Sequence, residues 1–156
     1  MDPLSRAREA VDAFALNRRT HNHFFNPLMH IYGTTILSDR NWHSNFAFQH
    51  AQGIPYEEIA QANKGFITRP YLTFIFDVPA VVAAERLSKR DGGERRKFDR
   101  QLDFLETVRQ NYLELPRVLP GLIGDDWITV IDGNRSVEDV WANVKTAYDE
   151  ALAKYP

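Results

Sequence analysis

Apolar residues near the start of the chain recur every three or four positions, which is the spacing of one face of an α-helix. The members of this stripe are Leu4, Ala7, Val11, Phe14 and Ala15. Asp2 followed by Pro3 is a typical helix start, because aspartate caps free backbone N–H groups and proline fits the first turn. We expect the helix to run toward Ile31, to kink or break near Pro27, and to end at Gly33.

Three short apolar runs predict buried β-strands, and amphipathic stretches between them predict helices. The predicted strands are residues 34–38, 72–78 and 127–131. The predicted helices after the first strand are residues 44–52, 55–63 and 79–90, a long one ending near 118, and a last one ending near 155. We expect Ser44 to cap the first of these, and Pro116 to bend or end the long one. Strands that alternate with helices indicate an α/β fold with three layers, in which helices flank a largely parallel sheet.

The size and composition of the chain suit one compact domain. It has 156 residues, of which 44% are hydrophobic, so a substantial core can form. A formal net charge of -2 argues against a general nucleic-acid binder, which needs a basic surplus. The sequence has no cysteine, no apolar run near the ~20 residues that cross a bilayer, and no signal-peptide pattern at its start. We therefore expect a soluble cytoplasmic protein with no nucleic-acid or membrane partner.

The residues that follow each predicted strand are polar, and ligands of parallel α/β sheets bind beyond the carboxyl ends of the strands. After the first strand come Asp39, whose carboxylate can hold Mg²⁺-bound water, and Arg40, whose guanidinium can hold a phosphate. Ser44 would add a hydroxyl beside the free N–H groups of a helix start, which is a natural anion site. An ordinary surface ion pair next to a helix cap would have the same sequence pattern.

Two weaker patterns also suggest nucleotide binding. Phe14 and Arg18 share a helix face and could meet a base and its phosphate, although a core phenylalanine and a solvated arginine are commoner. A basic loop around Gly92 and Gly93 could close over a polyphosphate, although a solvated charge run is the usual meaning. Its cations are Lys89, Arg90, Arg95, Arg96 and Lys97. The histidines show no metal-ligand spacing, so a structural metal site is not expected.

Taken in order, these segments resemble the thymidylate kinase family. Asp39 and Arg40, followed by Ser44, Ala47 and Gln49, match the DR-x-x-x-S-x-x-A-x-Q signature of that family. Upstream, Phe14 and Arg18 are similar to its thymine-stacking phenylalanine and its phosphate-binding arginine. Residues 69–79 resemble its PDLT…LDVP segment, 85–90 the start of its lid, 102–115 the helix after the lid, and 130–138 its closing strand and adenine-side turn. The likeness covers nearly the whole chain.

The resemblance implies a nucleoside monophosphate kinase that phosphorylates dTMP from ATP with Mg²⁺, and it assigns roles to individual residues. The implied catalytic residues are Asp39, Arg40, Arg90, Arg95 and Arg96, with Asp39 also ordering the metal. The implied dTMP site is Phe14, Arg18, Arg40, Ser44, Asn45, Phe48, Gln49 and Phe98. The implied ATP side is Arg86, Asn134, Arg135 and Ser136. A single domain over residues 1–156, a lid at about 88–99 and a homodimer are also implied.

The sequence also departs from the family pattern. Asn41 replaces a frequent tyrosine and Tyr71 replaces the aspartate of Pro-Asp-Leu, which affects the preferred base more than the fold. No Gly-x-x-x-x-Gly-Lys-Ser/Thr loop occurs in the sequence, whereas family members carry it on a central strand between those that match 34–38 and 72–78. Without that segment, ATP lacks its phosphate anchor and two strand edges lack a partner.

Three explanations fit the missing loop. We expect Met1 to be an internal methionine of a longer gene product. A fragment, or a degenerate homologue that fills the gap with a partner, are the alternatives. In each case we expect this chain alone to be inactive.

Two other functions fit the same sequence. The chain could be a non-catalytic nucleotide-binding or partner-binding module derived from this fold. It could also be a relative of the deoxynucleoside kinases, which share the sheet and the lid but typically carry Glu-Arg-Ser where this chain has Asp39, Arg40 and Asn41.

Overall fold

The computed structural model describes residues 2–90 and 102–154. In chain order these residues form α1 Pro3–Tyr32, α2 His43–Ala51, α3 Tyr56–Asn63, β1 Thr73–Asp77, α4 Ala80–Arg90, α5 Leu102–Leu122, β2 Ile128–Asp132 and α6 Val137–Lys154. The two strands pair in parallel, with Thr73 opposite Ile128 and Asp77 opposite Asp132. The predicted α/β fold with a parallel sheet is therefore confirmed. None of the described helices combines the length and the apolar character that a bilayer crossing needs.

The strand β1 has one paired edge and one open edge. Its paired edge begins where the Thr73 N–H donates to the Trp127 carbonyl at 2.8 Å, and ends where the Gly133 N–H donates to the Asp77 carbonyl at 2.8 Å. Hydrogen-bonding direction alternates along a strand, so Phe74 and Phe76 direct their backbone groups to the opposite edge. Within the described residues no strand pairs with that edge. Phe76 is 53% exposed, so the prediction that this strand is buried on both faces is wrong.

The prediction of a strand at residues 34–38 is wrong. This segment pairs with no other strand in the described ranges, and the Leu37 side chain is 94% exposed. The N–H of Thr34 bonds back to the Leu28 carbonyl of α1 instead. A β-branched run forms a strand only where a neighbour supplies hydrogen-bond partners, and here β1 and β2 pair with each other.

Both ends of α1 follow the predicted signals, but the predicted kink or break near Pro27 does not interrupt the helix. The Asp2 carboxylate accepts hydrogen bonds from the N–H groups of Leu4 and Ser5, and α1 ends before Gly33, whose φ is 62°. However, α1 continues through Pro27 without a break.

The predicted end of the long helix near residue 118 is wrong, because α5 continues through Pro116 and Pro120 to Leu122. Leu115 and Leu119 are fully buried around Pro116. Their packing offsets the backbone hydrogen bond that each proline removes.

The core lies between α2, α3, α5 and one face of β1. Its fully buried large side chains are Trp42, Phe46, Ile54, Ile59, Leu115 and Leu119. Ala7 and Val11 of α1 and Ile75 of β1 complete this cluster. Burial of apolar surface stabilises it by roughly 25 cal/mol per Å². The consequence for function is that α2 is fixed between α1 and α5, which holds its first turn in place.

Candidate functional site

Two predicted site arginines each form a hydrogen bond with a side chain in the first turn of α2. Arg40, just before the helix, donates its Nε–H to the Ser44 hydroxyl oxygen at 3.1 Å. Arg18 of α1 donates an Nη2–H to the Asn45 side-chain oxygen at 3.1 Å. Since Ser44 and Asn45 are consecutive, guanidinium groups from two separate elements converge on one helical turn.

Arg18 is a buried cation with neutral partners. Its exposed fraction is 9%, and its second hydrogen bond goes from Nη1 to the side-chain oxygen of Asn63. Asn63 is held in turn by its own bond to the Ile59 carbonyl at 2.7 Å. Burial lowers the pKa of Arg18 to about 10. No carboxylate in the described part of the chain pairs with it, so this charge can still interact with a polar ligand.

Two further buried polar atoms belong to α2, one of them on Asn45, which accepts a hydrogen bond from Arg18. The side-chain nitrogen of Asn45 and the side-chain oxygen of Gln49 have no hydrogen-bond partner among the described residues. These residues are four positions apart and share a helix face. Because buried polar groups are nearly always satisfied, this donor and this acceptor lack a partner that the described residues do not supply.

Arg40 has an unusual backbone and a free guanidinium edge. Its φ of 64° lies in the left-handed region, which costs energy for a residue with a Cβ and is often found at functional sites. The guanidinium lies over the Phe48 ring, 4.7 Å from its centroid. Its Nε is the only donor atom with a partner within the described ranges, so the Nη edge remains open. Asp39 is exposed and makes no hydrogen bond or ion pair with any described residue.

Phe14 lies on α1, the same helix as Arg18. It lies one helical turn before Arg18 on α1 and is 51% exposed. Its ring is thus accessible, as base stacking requires, and is not part of the core.

Ser44 is not the helix cap that the sequence predicts. Helix α2 begins at His43 after Trp42, and no side chain caps it. The Asn41 side chain accepts the Trp42 N–H at 2.8 Å immediately before the helix. The Ser44 hydroxyl, which lies inside the helix, is therefore available to Arg40 and to Tyr112 of α5, whose hydroxyl donates to it at 2.7 Å.

The predicted ATP-side residues come together at the turn after β2. Arg86 of α4 donates to the Gly133 carbonyl at 3.0 Å. The Asp132 carboxylate accepts hydrogen bonds from the Arg135 side chain and from the Asn134 N–H, which together lower its pKa. The next hydroxyl, that of Ser136, caps α6 by accepting the Asp139 N–H at 3.1 Å.

The predicted lid falls mostly outside the described residues. The positions concerned are Arg95, Arg96 and Phe98, together with the side chain of Arg90. Among the described residues no group of three or more histidines and carboxylates is placed to hold a metal ion.

Sequence reasoning missed three contributors to these contacts. Tyr112 bonds to Ser44, Asn63 bonds to Arg18, and Arg109 forms a two-point ion pair with Asp77 at the carboxyl end of β1. The spacing of Arg109 and Tyr112 on one face of α5 was the available signal. It indicates a shared face but does not reveal which partner each residue meets.

A parallel α/β sheet with arginines near the carboxyl ends of its strands is typical of proteins that bind phosphorylated ligands. The chain belongs to the thymidylate kinase family, because the family model "Thymidylate kinase" matches residues 5–144. The family predicted from the sequence motifs is therefore confirmed.

Curated relatives agree with the family model. The chain is 28% identical over 142 residues to "Probable thymidylate kinase" of Thermococcus gammatolerans, a match covering 90% of this chain and 63% of the relative. It is 35% identical over 116 residues to the protein of the same name from Methanosarcina mazei, covering 69% and 51%. The corresponding protein of Archaeoglobus fulgidus is 32% identical over 120 residues, covering 77% and 56%. The matched part of the chain spans about half to two thirds of the length of these relatives.

Proposed function

We propose that this chain forms the acceptor-nucleotide part of a dTMP kinase, an enzyme that transfers the γ-phosphoryl group of ATP to dTMP. The observation that carries the proposal is the convergence of Arg18 and Arg40 on the first turn of α2. The names of the relatives support the same reaction. The proposal includes a cytoplasmic location and a homodimer, as the family resemblance implies.

The acceptor phosphate fits Arg40 better than Arg18. The Nη edge of Arg40 is exposed and can bind two phosphate oxygens at once. Both Nη groups of Arg18 already bond to amide oxygens, so Arg18 suits the wall of the base pocket. The unpaired Asn45 nitrogen and Gln49 oxygen would complement a carbonyl and an N–H of thymine, with Phe14 stacking on its ring.

Mg²⁺ and ATP fit the other polar groups of the chain. Asp39 offers an exposed carboxylate, unpaired among the described residues, of the kind that binds hydrated Mg²⁺. Bound Mg²⁺ would neutralise charge on the phosphates during transfer. Arg86 and the turn at 133–136 would border the adenine. The sequence has no glycine-rich Gly-Lys-Ser/Thr loop, so we expect this chain alone to bind dTMP more tightly than ATP and to show no turnover.

Calorimetric titration of this chain with dTMP, thymidine and ATP tests the proposal. We expect dTMP to bind about tenfold or more tightly than thymidine, because charge-assisted hydrogen bonds to the phosphate contribute about 1.5–3 kcal/mol. Arg40→Leu should abolish this preference. The matched control Arg117→Leu removes an exposed arginine of α5 and should leave the preference intact.

Two results would contradict the proposal, and a third would contradict the expected inactivity of this chain alone. Equal binding of thymidine and dTMP would favour a deoxynucleoside kinase relative. Failure to bind any of the three ligands at millimolar concentration would favour a partner-binding module. Turnover by this chain alone would show that ATP is anchored without the loop.

A further inference from the structure

Tyr112 of α5 shares a hydrogen-bond partner with Arg40 in the candidate acceptor site. Its hydroxyl donates to the Ser44 oxygen at 2.7 Å, and the same oxygen accepts the Arg40 Nε–H at 3.1 Å. Tyr112 and Ser44 are both partly buried, whereas Arg40 is exposed. A continuous hydrogen-bonded chain thus connects the interior of the molecule to the guanidinium at its surface.

The Ser44 hydroxyl has no spare acceptor capacity in this arrangement. A hydroxyl oxygen has two lone pairs and one proton, and here Tyr112 and Arg40 donate to both lone pairs. The guanidinium is therefore held at Nε, and its Nη edge turns away from Ser44. Loss of the Tyr112 hydroxyl would leave Ser44 free to rotate and would loosen this constraint.

Aromatic packing also holds the Arg40 guanidinium in place. The Phe48 ring lies under the Arg40 guanidinium, and the Tyr112 ring meets Phe48 edge to face with 6.3 Å between centroids. Phe104 contacts Phe48 edge to face as well, at 6.2 Å. Tyr112 thus contacts both supports of Arg40, the serine through its hydroxyl and the phenylalanine through its ring.

We propose that Tyr112 is a positioning residue that holds the Arg40 guanidinium in the orientation that receives the acceptor phosphate. It acts through Ser44 and Phe48 and does not itself touch the nucleotide. The left-handed backbone of Arg40 makes such support necessary, because a strained residue keeps its conformation only when its surroundings fix it. This inference rests on the proposed function, since it concerns the same phosphate.

The test is calorimetric titration of the Tyr112→Phe chain with dTMP and with thymidine. The substitution removes the hydroxyl and keeps the ring, so the affinity for dTMP should fall about fivefold, the effect of one lost hydrogen bond. The affinity for thymidine, which has no phosphate, should not change. Tyr148→Phe is the matched control, because Tyr148 lies at an exposed position of α6 and belongs to none of the site contacts. It should leave both affinities unchanged.

A double-mutant cycle identifies the route of the effect. In an Arg40→Leu background, Tyr112→Phe should change the dTMP affinity by less than about twofold, because the group it positions is absent. Ser44→Ala breaks the same chain of hydrogen bonds without altering the aromatic packing. It should reproduce the selective loss of dTMP affinity, and it serves as the second variant if Tyr112→Phe folds poorly.

Several outcomes would overturn the inference. The inference fails if Tyr112→Phe and Ser44→Ala chains bind dTMP as tightly as the wild type. If Tyr112→Phe lowers the affinity for thymidine as much as the affinity for dTMP, the role of Tyr112 is merely structural. If it lowers dTMP affinity as much in the Arg40→Leu background as in the wild type, Tyr112 acts independently of Arg40. If the wild-type chain binds no dTMP, the proposed function itself fails. If the wild-type chain binds dTMP but the variants lose no affinity, only the inference about Tyr112 fails, so the two failures are distinguishable.

Discussion

Gly133 lies at the closest approach between the turn after β2 and the end of β1. A Cβ added there would be 2.8 Å from the Cγ2 of Val78 and 3.3 Å from the Asp77 carbonyl oxygen. We expect Gly133→Ala to lower the free energy of unfolding by about 1–3 kcal/mol, as other overpacking substitutions do. Urea denaturation measures this change.

The control is Gly121→Ala in the last turn of α5, where an added Cβ meets nothing within 4 Å. Alanine favours the helix over glycine, so this change should stabilise the chain by up to about 1 kcal/mol. Equal effects at the two positions would contradict the packing account of Gly133.

The His43–Asp126 pair links the start of α2 to the segment before β2. His43 Nε2 lies 2.6 Å from Asp126 Oδ2, and the two side chains are 6% and 2% exposed. Asp126→Ala leaves the buried His43 ring without this partner and should destabilise the chain by about 1–3 kcal/mol. Glu114→Ala, which breaks an exposed pair with Arg117, should cost less than about 1 kcal/mol. Similar changes in thermal stability for the two variants would show that the buried pair contributes little.

Tyr56 makes the stability of the folded chain sensitive to alkaline pH. Burial, together with the nearby charge of Glu114, raises its pKa from 10.0 to about 12, and its hydroxyl has no partner among the described residues. The folded state therefore holds the proton more tightly than the unfolded state. This contribution to stability is fully present below pH 10 and is lost as the pH rises through 12.

We expect Tyr56→Phe to retain more of its neutral-pH stability between pH 10 and 12 than the wild type does. At neutral pH the variant should lose little stability, because the removed hydroxyl makes no described hydrogen bond. Tyr148→Phe, at an exposed position of α6, is the control and should follow the wild-type profile. Parallel alkaline profiles for Tyr56→Phe and the wild type would contradict this assignment.

At the scale of elements, the open edge of β1 has a direct signature in amide hydrogen exchange. The Thr73 N–H donates to the Trp127 carbonyl, whereas the N–H groups of Phe74 and Phe76 face the unpaired edge. We expect the amides of Phe74 and Phe76 to exchange much faster than those of Thr73 and Gly133. Comparable protection of all four amides would show that another strand, from a further segment or a second molecule, covers this edge.

The helices were more predictable than the strands for a physical reason. A helix satisfies its hydrogen bonds within one segment, so the apolar stripe and the Asp2 cap sufficed to predict α1. A strand needs a neighbour, and the β-branched run at 34–38 has none within the described ranges. The end of α5 was mispredicted because buried Leu115 and Leu119 outweigh the helix-breaking effect of Pro116.

At the scale of the whole molecule, part of the candidate site could be predicted and part could not. Arg40 and Ser44 are four positions apart, so their contact is local and a sequence motif can indicate it. The contact of Arg18 with Asn63 joins residues 45 positions apart, and that of Ser44 with Tyr112 joins residues 68 apart. Such contacts depend on how α1, α3 and α5 pack around α2, which periodicity alone does not specify.

The central claim is that dTMP binds at the first turn of α2, between Arg18 and Arg40. Nuclear magnetic resonance titration of the ¹⁵N-labelled chain with dTMP tests this claim most directly. The largest shift changes should fall on residues 14–18 and 40–49. A groove of about 400 Å³ between α3 and the end of α5, whose lining includes Lys64 and Arg69, provides a competing location. The largest changes at that groove, or none at millimolar dTMP, would contradict the account.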